Sequence, residues 1–310
     1  MSYLEYNLAT APVGIRKVLA LNWPIIFLLS AISGFGFVML YSVSGGNLER
    51  WAQPQIQRFF IGMLCLFIVA MVPIWFWRNM SFLAYSIAVL LLIAVEFIGV
   101  TGMGAQRWID VGFMRLQPSE VMKITLVLVL AAYYDWLPLT RTSRPLWVLF
   151  PVLLIALPVF LVLRQPDLGT SLLLITGGGA IMFLAGVHWG YFATVISSGF
   201  GLVAAVFQTR DSSWQLLKDY QYSRIDTFIN PDSDPLGAGY QIIQSKIAVG
   251  SGGFSGKGFL KGTQSYLEFL PEKHTDFIFT LFAEEHGFVG AVFLLLICLL
   301  YTSDAADDPA

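Results

Sequence analysis

Charge is what this 310-residue chain most lacks. It carries 18 Lys or Arg and 20 Asp or Glu, 12 % of its residues, about half the share of a soluble globular protein. Histidine occurs three times and cysteine twice. Cys65 and Cys298 each sit inside an apolar run, so neither a disulfide framework nor a zinc centre is credible. The formal net charge of −2 offers no basic footprint for nucleic acid. Apolar residues are abundant instead: 56 % are hydrophobic and 15 % aromatic, with a mean hydropathy of +0.70. A soluble fold cannot hide that much apolar surface. The composition excludes a soluble domain, a disordered chain and a nucleic-acid binder. It defines an integral membrane protein.

A bilayer crossing takes about 20 apolar residues. Candidate spans lie near Trp23–Val43, Phe59–Trp75, Phe82–Val100, Ser119–Leu137, Leu146–Leu163, Leu168–His188 and Gly190–Phe207, with a last one between Phe277 and Tyr301. None alternates as the strands of a membrane barrel do. The expected fold class is therefore all-α: a polytopic helical bundle of about eight transmembrane helices, with one long loop in a single membrane domain over residues 1–310. The first span is long, has no small-residue cleavage site after it, and reads as a signal-anchor. Trp23, Trp51, Trp75, Trp77, Trp136, Trp147 and Trp189 lie at or near span ends and read as interface anchors. Short-loop charge gives no orientation. With a cytoplasmic N-terminus, Arg16, Lys17, Arg78, Arg141 and Arg144 balance Arg50, Arg58, Arg107, Arg115 and Arg164, five against five.

Polar chemistry gathers in four places. The loop from about Gln208 to Asp276 holds 15 of the 38 charges and is too long for an ordinary connection. Within it, Tyr240–Gly250 has helical apolar spacing at 242, 243, 246/247 and 249/250. Gly252, Gly253, Gly256, Gly258 and Gly262 then mark a tight, backbone-rich stretch, so the loop is expected to fold. The stretch Gly250–Gly258 lacks P-loop spacing and a preceding strand; its N–H groups beside Lys257 leave a lipid phosphate open.

The second cluster is Gly104-Ala-Gln-Arg-Trp-Ile109 with Gln117-Pro-Ser-Glu-Val-Met-Lys123. Pro118 and Ser119 fit a helix start with Ser119 as its cap. Glu120 and Lys123 share one helix face, either as a self-neutralising pair or as a functional one. In the third, Arg164–Ser171, Asp167 reads as a cap for the helix that follows. The fourth, Glu268–Asp276, runs into the last apolar stretch. Asp276 sits at the water–apolar boundary, where it suits a general base and a helix cap equally. Glu284, Glu285 and His286 interrupt the final run, and His274 reads as a polar loop residue.

Five collinear motifs resemble the SEDS family, the shape, elongation, division and sporulation proteins of the bacterial cell wall. They are Gly104–Ile109, Gln117–Glu120, Gln165–Ser171, Asp232–Lys246 and Leu270–Phe279. The resemblance runs from the first span to about Leu300 and is closer to the rod-shape branch than to the division-type paralogue. It implies a peptidoglycan glycosyltransferase that polymerises lipid II, with inversion and release of undecaprenyl pyrophosphate, for elongation and rod shape. The implied essential carboxylate is Asp276, in the His-Thr-Asp motif, with Glu268, Glu120, Lys123 and Trp108 in support. Arg107, Lys123, Lys246 and Lys257 are candidates for the leaving pyrophosphate, and Gln117 and Asp167 for substrate binding.

The same resemblance places the protein in the bacterial cytoplasmic (inner) membrane, with residues 1–22 cytoplasmic and the 208–276 loop facing the periplasm or exterior. Its implied partners are a class B penicillin-binding protein transpeptidase, the elongation machinery and membrane lipids, with no nucleic acid. No cofactor or metal site is implied, and a divalent cation (Mg²⁺ or Mn²⁺) stays open. The family has about ten spans, and the acidic stretch 302–310 matches nothing in it, which reads as a truncated or mis-assembled frame. A lipid II flippase and a non-catalytic scaffold for a transpeptidase are the rival readings; the long loop and its boundary carboxylate favour the enzyme.

Overall fold

A computed structural model describes residues 15–102, 105–110, 112, 115–210, 212, 215, 219–230, 232, 239–263 and 273–307. Along the chain run α1 (Ile15–Leu19), α2 (Trp23–Val43), α3 (Ala52–Met71) and α4 (Ile74–Ile98). Three short strands follow: β1 (Val100–Gly102), β2 (Ala105–Asp110) and β3 (Arg115–Leu116). Next come α5 (Pro118–Trp136), a 3-10 turn (Leu139–Arg141), α6 (Pro145–Arg164), α7 (Leu168–Leu184) and α8 (Trp189–Gln208). The chain continues with α9 (Asp219–Ile229), α10 (Tyr240–Ser251) and α11 (Ile278–Asp307).

Each expected span coincides with a helix. Six are long and apolar enough to cross a membrane: α2, α3, α4, α6, α8 and the Ile278–Leu300 part of α11. Helix α7 is a shorter apolar helix, and α5 carries Glu120, Lys123 and Asp135 among its apolar residues. The chain is a multi-pass helical membrane protein. Helices α3 and α4 start earlier than the apolar runs at Phe59 and Phe82, because polar residues interrupt their first two turns: Gln53, Gln55 and Arg58 in α3, Arg78 and Asn79 in α4. The three strands were not expected. They form an antiparallel sheet in the order β1-β2-β3, with Trp108 opposite Val100 and Ile109 opposite Leu116.

Two units make up the chain, one from residues 72–214 and the other from residues 1–71 with 215–310. In the 72–214 unit the core is Leu92 of α4, Met122, Leu126, Val129 and Leu130 of α5, Val162 of α6 and Leu174 of α7. Helices α6 and α7 approach closely at Gly178, where a Cβ would stand 2.7 Å from the Ile155 side chain; small residues permit such contact between membrane helices. Helix α6 contains Pro151 and Pro158. Each removes the N–H that would bond the carbonyl four residues back, here those of Trp147 and Leu154. The Tyr133 hydroxyl donates to the Trp147 carbonyl at 2.9 Å, and the Tyr85 hydroxyl to the Leu154 carbonyl at 2.8 Å. Both freed acceptors are thereby satisfied, as a helix in lipid requires.

The other unit is organised around the end of α2 and the start of α11. Met39 and Val43 of α2 pack on Leu281 and Phe282 of α11, with Trp51, Phe277 and Ile278 partly buried against them. Asn22 caps α2, accepting from the Ile25 N–H. The predicted helix over 240–250 is α10, which packs on α11 and buries Ala248.

Candidate functional site

A short turn, 273–277, leads into α11 and carries the His-Thr-Asp motif. Its anchor is a stack. The His274 imidazole lies on the Trp51 ring, with centroids 4.7 Å apart and planes 4° from parallel. The Arg50 guanidinium stands 4.4 Å from the same ring, and the Lys273 ammonium 5.9 Å from it. Trp51, taken from the sequence as an interface anchor, instead fixes the motif; His274, taken as a surface residue, is half-buried. Ring stacking of this kind contributes about 0.5–1.5 kcal/mol beyond the area it buries.

Beside the stack lies a cavity of about 640 Å³, lined by Arg50, Gln55, Arg58, His274 and Thr275 together with apolar groups such as Phe37 and Phe59. Gln55 and Arg58 are three residues apart on α3 and share its face. Two guanidinium groups, permanently charged and able to bond phosphate in bidentate fashion, make this pocket suited to an anion. Neither arginine stood among the expected ligands. The sequence shows them only as loop charges, and the signal that could have found them is the Arg50-Trp51 pair followed by Gln55 and Arg58 at helical spacing. Asp276 follows the two cavity-lining residues His274 and Thr275 directly and is exposed. Among the described residues its carboxylate makes no ion pair or capping bond, so the cap reading of Asp276 gains no support.

The remaining expected residues fall in several places. Glu268 lies outside the described residues. Lys246 is exposed on α10. Lys257 departs from the phosphate reading: its ammonium is 2.6 Å from the Glu284 carboxylate, which is fully buried. The N–H groups of Lys257 and Gly258 donate to the carbonyls of Glu284 and Glu285 at 3.1 and 2.9 Å. The glycine-rich stretch therefore grips α11, and these two donors are not free for a phosphate.

In the 72–214 unit Glu120 and Lys123 form an ion pair of 2.8 Å, with Glu120 the more exposed partner. Ser119 does not cap α5. Gln117 occupies that position with Pro118 in the first turn, and buried Ser119 accepts from Gln117 Nε2 at 3.1 Å. Asp167 caps α7 as expected, accepting from the Thr170 N–H at 3.1 Å and its hydroxyl at 3.0 Å. Arg107 reaches from β2 to the connection between α6 and α7. It donates to the carbonyls of Gln165 at 3.0 Å and Pro166 at 2.5 Å, and comes within 3.8 Å of Asp167. Trp108 is half-buried in the same strand. Among the described residues no three His, Cys, Asp or Glu side chains gather as metal ligands.

The fold and the pocket define a multi-pass helical membrane protein with an arginine-lined cavity at a His-Thr-Asp turn. Residues 22–305 match the family described as "Cell cycle protein", FtsW/RodA/SpoVE, and the chain belongs to that family. It is 40 % identical over 282 residues to the peptidoglycan glycosyltransferase MrdB of Escherichia coli K12, covering 89 % of this chain and 72 % of that protein. It is 34 % identical over 285 residues to a probable peptidoglycan glycosyltransferase FtsW of Buchnera aphidicola, covering 88 % of this chain and 68 % of that one. The fold resembles the crystal structure of the rod shape determining protein RodA of Thermus thermophilus, with a TM-score of 0.64 and 26 % identity over 92 % of this chain and 74 % of that one. A chain from a peptidoglycan synthase complex that coordinates polymerization and crosslinking is similar at a TM-score of 0.75 and 28 % identity, over 92 % and 77 % of the two chains.

Proposed function

We infer that this chain is a peptidoglycan glycosyltransferase of cell elongation, a multi-pass protein of the bacterial inner membrane. Its family membership and its 40 % identity to a protein of that activity support the reaction class. The observation that carries the site is the cavity of Arg50 and Arg58, two of whose lining residues, His274 and Thr275, directly precede Asp276. The substrate is lipid II. The acceptor sugar's 4-hydroxyl forms a bond to the donor's anomeric carbon as the bond to the pyrophosphate oxygen breaks, and the electron pair leaves with undecaprenyl pyrophosphate.

Asp276 takes the hydroxyl proton as general base, a role contributing about 10²–10⁴-fold. Arg50 and Arg58 stabilise the charge that develops on the leaving pyrophosphate. Lys246 adds further positive charge and Glu268 positions substrate; in the 72–214 unit, Glu120, Lys123, Trp108 and Gln117 are substrate contacts and Asp167 caps α7. Arg107 and Lys257 serve by holding structure. The loop 208–276 faces the cell exterior, and a class B penicillin-binding protein cross-links the strands that this chain makes.

The test is polymerisation of labelled lipid II by purified protein with its transpeptidase. Wild type should extend glycan strands, and Asp276→Ala should slow extension at least about a hundredfold while still binding lipid II. Equal synthesis by the two proteins sinks the general-base assignment; movement of lipid II across vesicles without polymer would instead favour a transporter.

A further inference from the structure

Helix α11 is not continuous. Gly287 has φ 65° and ψ −166°, so the helix is a short amino-terminal piece, 278–286, followed by a longer one. Such a break orphans backbone groups on both sides. The stretch 253–258 pairs with four of them: the Lys257 and Gly258 N–H groups bond the Glu284 and Glu285 carbonyls, and the Phe288 and Val289 N–H groups bond the carbonyls of Gly253 (2.9 Å) and Phe254 (3.2 Å). Only glycine permits this approach. A Cβ on Gly256 would strike the Glu285 carbonyl, and one on Gly287 would strike the Gly256 nitrogen.

Side chains add a lock to this backbone junction. Glu284 has no exposed surface, and one of its oxygens, Oε1, accepts from Lys257 Nζ at 2.6 Å, the Thr263 N–H at 2.9 Å and the Thr263 hydroxyl at 2.7 Å. Glu285, also buried, accepts from the Ser42 hydroxyl of α2 at 2.5 Å. An apolar pair of the same volume would hold two segments together at a smaller desolvation cost. What an ion pair with directed hydrogen bonds supplies is a single fixed geometry. The element so fixed is the 278–286 piece, and the turn at its start bears Asp276.

We propose that Glu284, with Lys257 as its counter-charge, is a positioning residue for Asp276. It sets where the amino-terminal piece of α11 stands against α2 and α10, and hence where the carboxylate meets the acceptor hydroxyl. The proposal rests on Asp276 acting as the base. Misplacing a reacting group by about 1 Å costs about a hundredfold in rate, so a small displacement of this piece is enough to matter.

The experiment is a double-mutant cycle on lipid II polymerisation by the full chain with its transpeptidase, read as kcat and KM separately under single-turnover and steady-state conditions. Glu284→Gln should lower kcat about 10- to 100-fold and leave KM for lipid II within about twofold. In an Asp276→Ala background the same change should cost nothing further, since the group it positions is gone. Losses that multiply in that background overturn the proposal alone. Full activity of Asp276→Ala overturns the base reading and this one with it. Because removing one partner of a buried pair destabilises the fold, Lys257→Met/Glu284→Met provides the control. It should recover the thermal midpoint and not kcat; recovery of both would make the pair purely structural and overturn the proposal.

Discussion

The hydroxyl of Tyr85 in α4 donates to the carbonyl of Leu154 in α6 at 2.8 Å, the acceptor that Pro158 leaves without its helical donor. Tyr133 of α5 repeats the device at the Trp147 carbonyl, four residues before Pro151. Two prolines and two tyrosines thus form a matched set across three helices, which explains how α6 keeps both prolines with their freed carbonyls satisfied.

Tyr85→Phe should uncover this dependence. It leaves the ring in place and strands one part-buried carbonyl, at about 1–3 kcal/mol. The thermal midpoint in detergent should fall by a few degrees. Adding Pro158→Ala restores an N–H to that carbonyl and should return most of the loss. A double variant no more stable than Tyr85→Phe alone would show that the hydroxyl bond carries no such role.

At the cavity, Arg58→Ala should slow polymerisation by about 10²-fold, through the loss of one charge facing the leaving group. Arg58→Lys should recover part of the rate, because a point charge remains without the bidentate fork. The readout is kcat with labelled lipid II. An unchanged kcat would remove Arg58 from the chemistry.

Trp51 offers a test that separates shape from polarity. Trp51→Phe keeps a ring under His274 and should retain most activity, whereas Trp51→Ala removes the support of the 273–277 turn. A fall of at least about tenfold in kcat for the alanine variant, with lipid II binding kept, is the expected result. Equal rates for both variants would mean that the stack does not hold the motif.

Gly256→Ala places a methyl group against the Glu285 carbonyl at a backbone with φ 79°. Both the clash and the strained conformation oppose it. The variant should fail to accumulate as folded protein by size-exclusion analysis, while Gly250→Ala, whose added Cβ meets open space, should behave as wild type.

The helices were legible wherever an apolar run was uninterrupted: α2 has the ends read from its sequence, Trp23 and Val43. They were less legible where a helix begins in polar residues, as α3 does through Gln53, Gln55 and Arg58, because hydropathy marks the lipid-facing part of a helix and not its whole length. The sheet escaped notice since strands of three, six and two residues carry too few alternations to register. The His-Thr-Asp turn was visible as a motif, but its supports were not. Trp51 and His274 lie far apart in sequence, as do Lys257 and Glu284, and nothing local to either announces its partner. Asp167, by contrast, was read correctly as a cap, because its hydrogen bond closes within three residues.

The broken helix also bears on how the protein enters the membrane. A straight apolar helix partitions into lipid with its own hydrogen bonds complete. The last span does not: four backbone groups around Gly287 find their partners in the stretch 253–258. That span completes its backbone hydrogen bonding only against the stretch that follows α10. Since residues 253–258 precede 278 in the chain, synthesis delivers these partners before the segment that needs them.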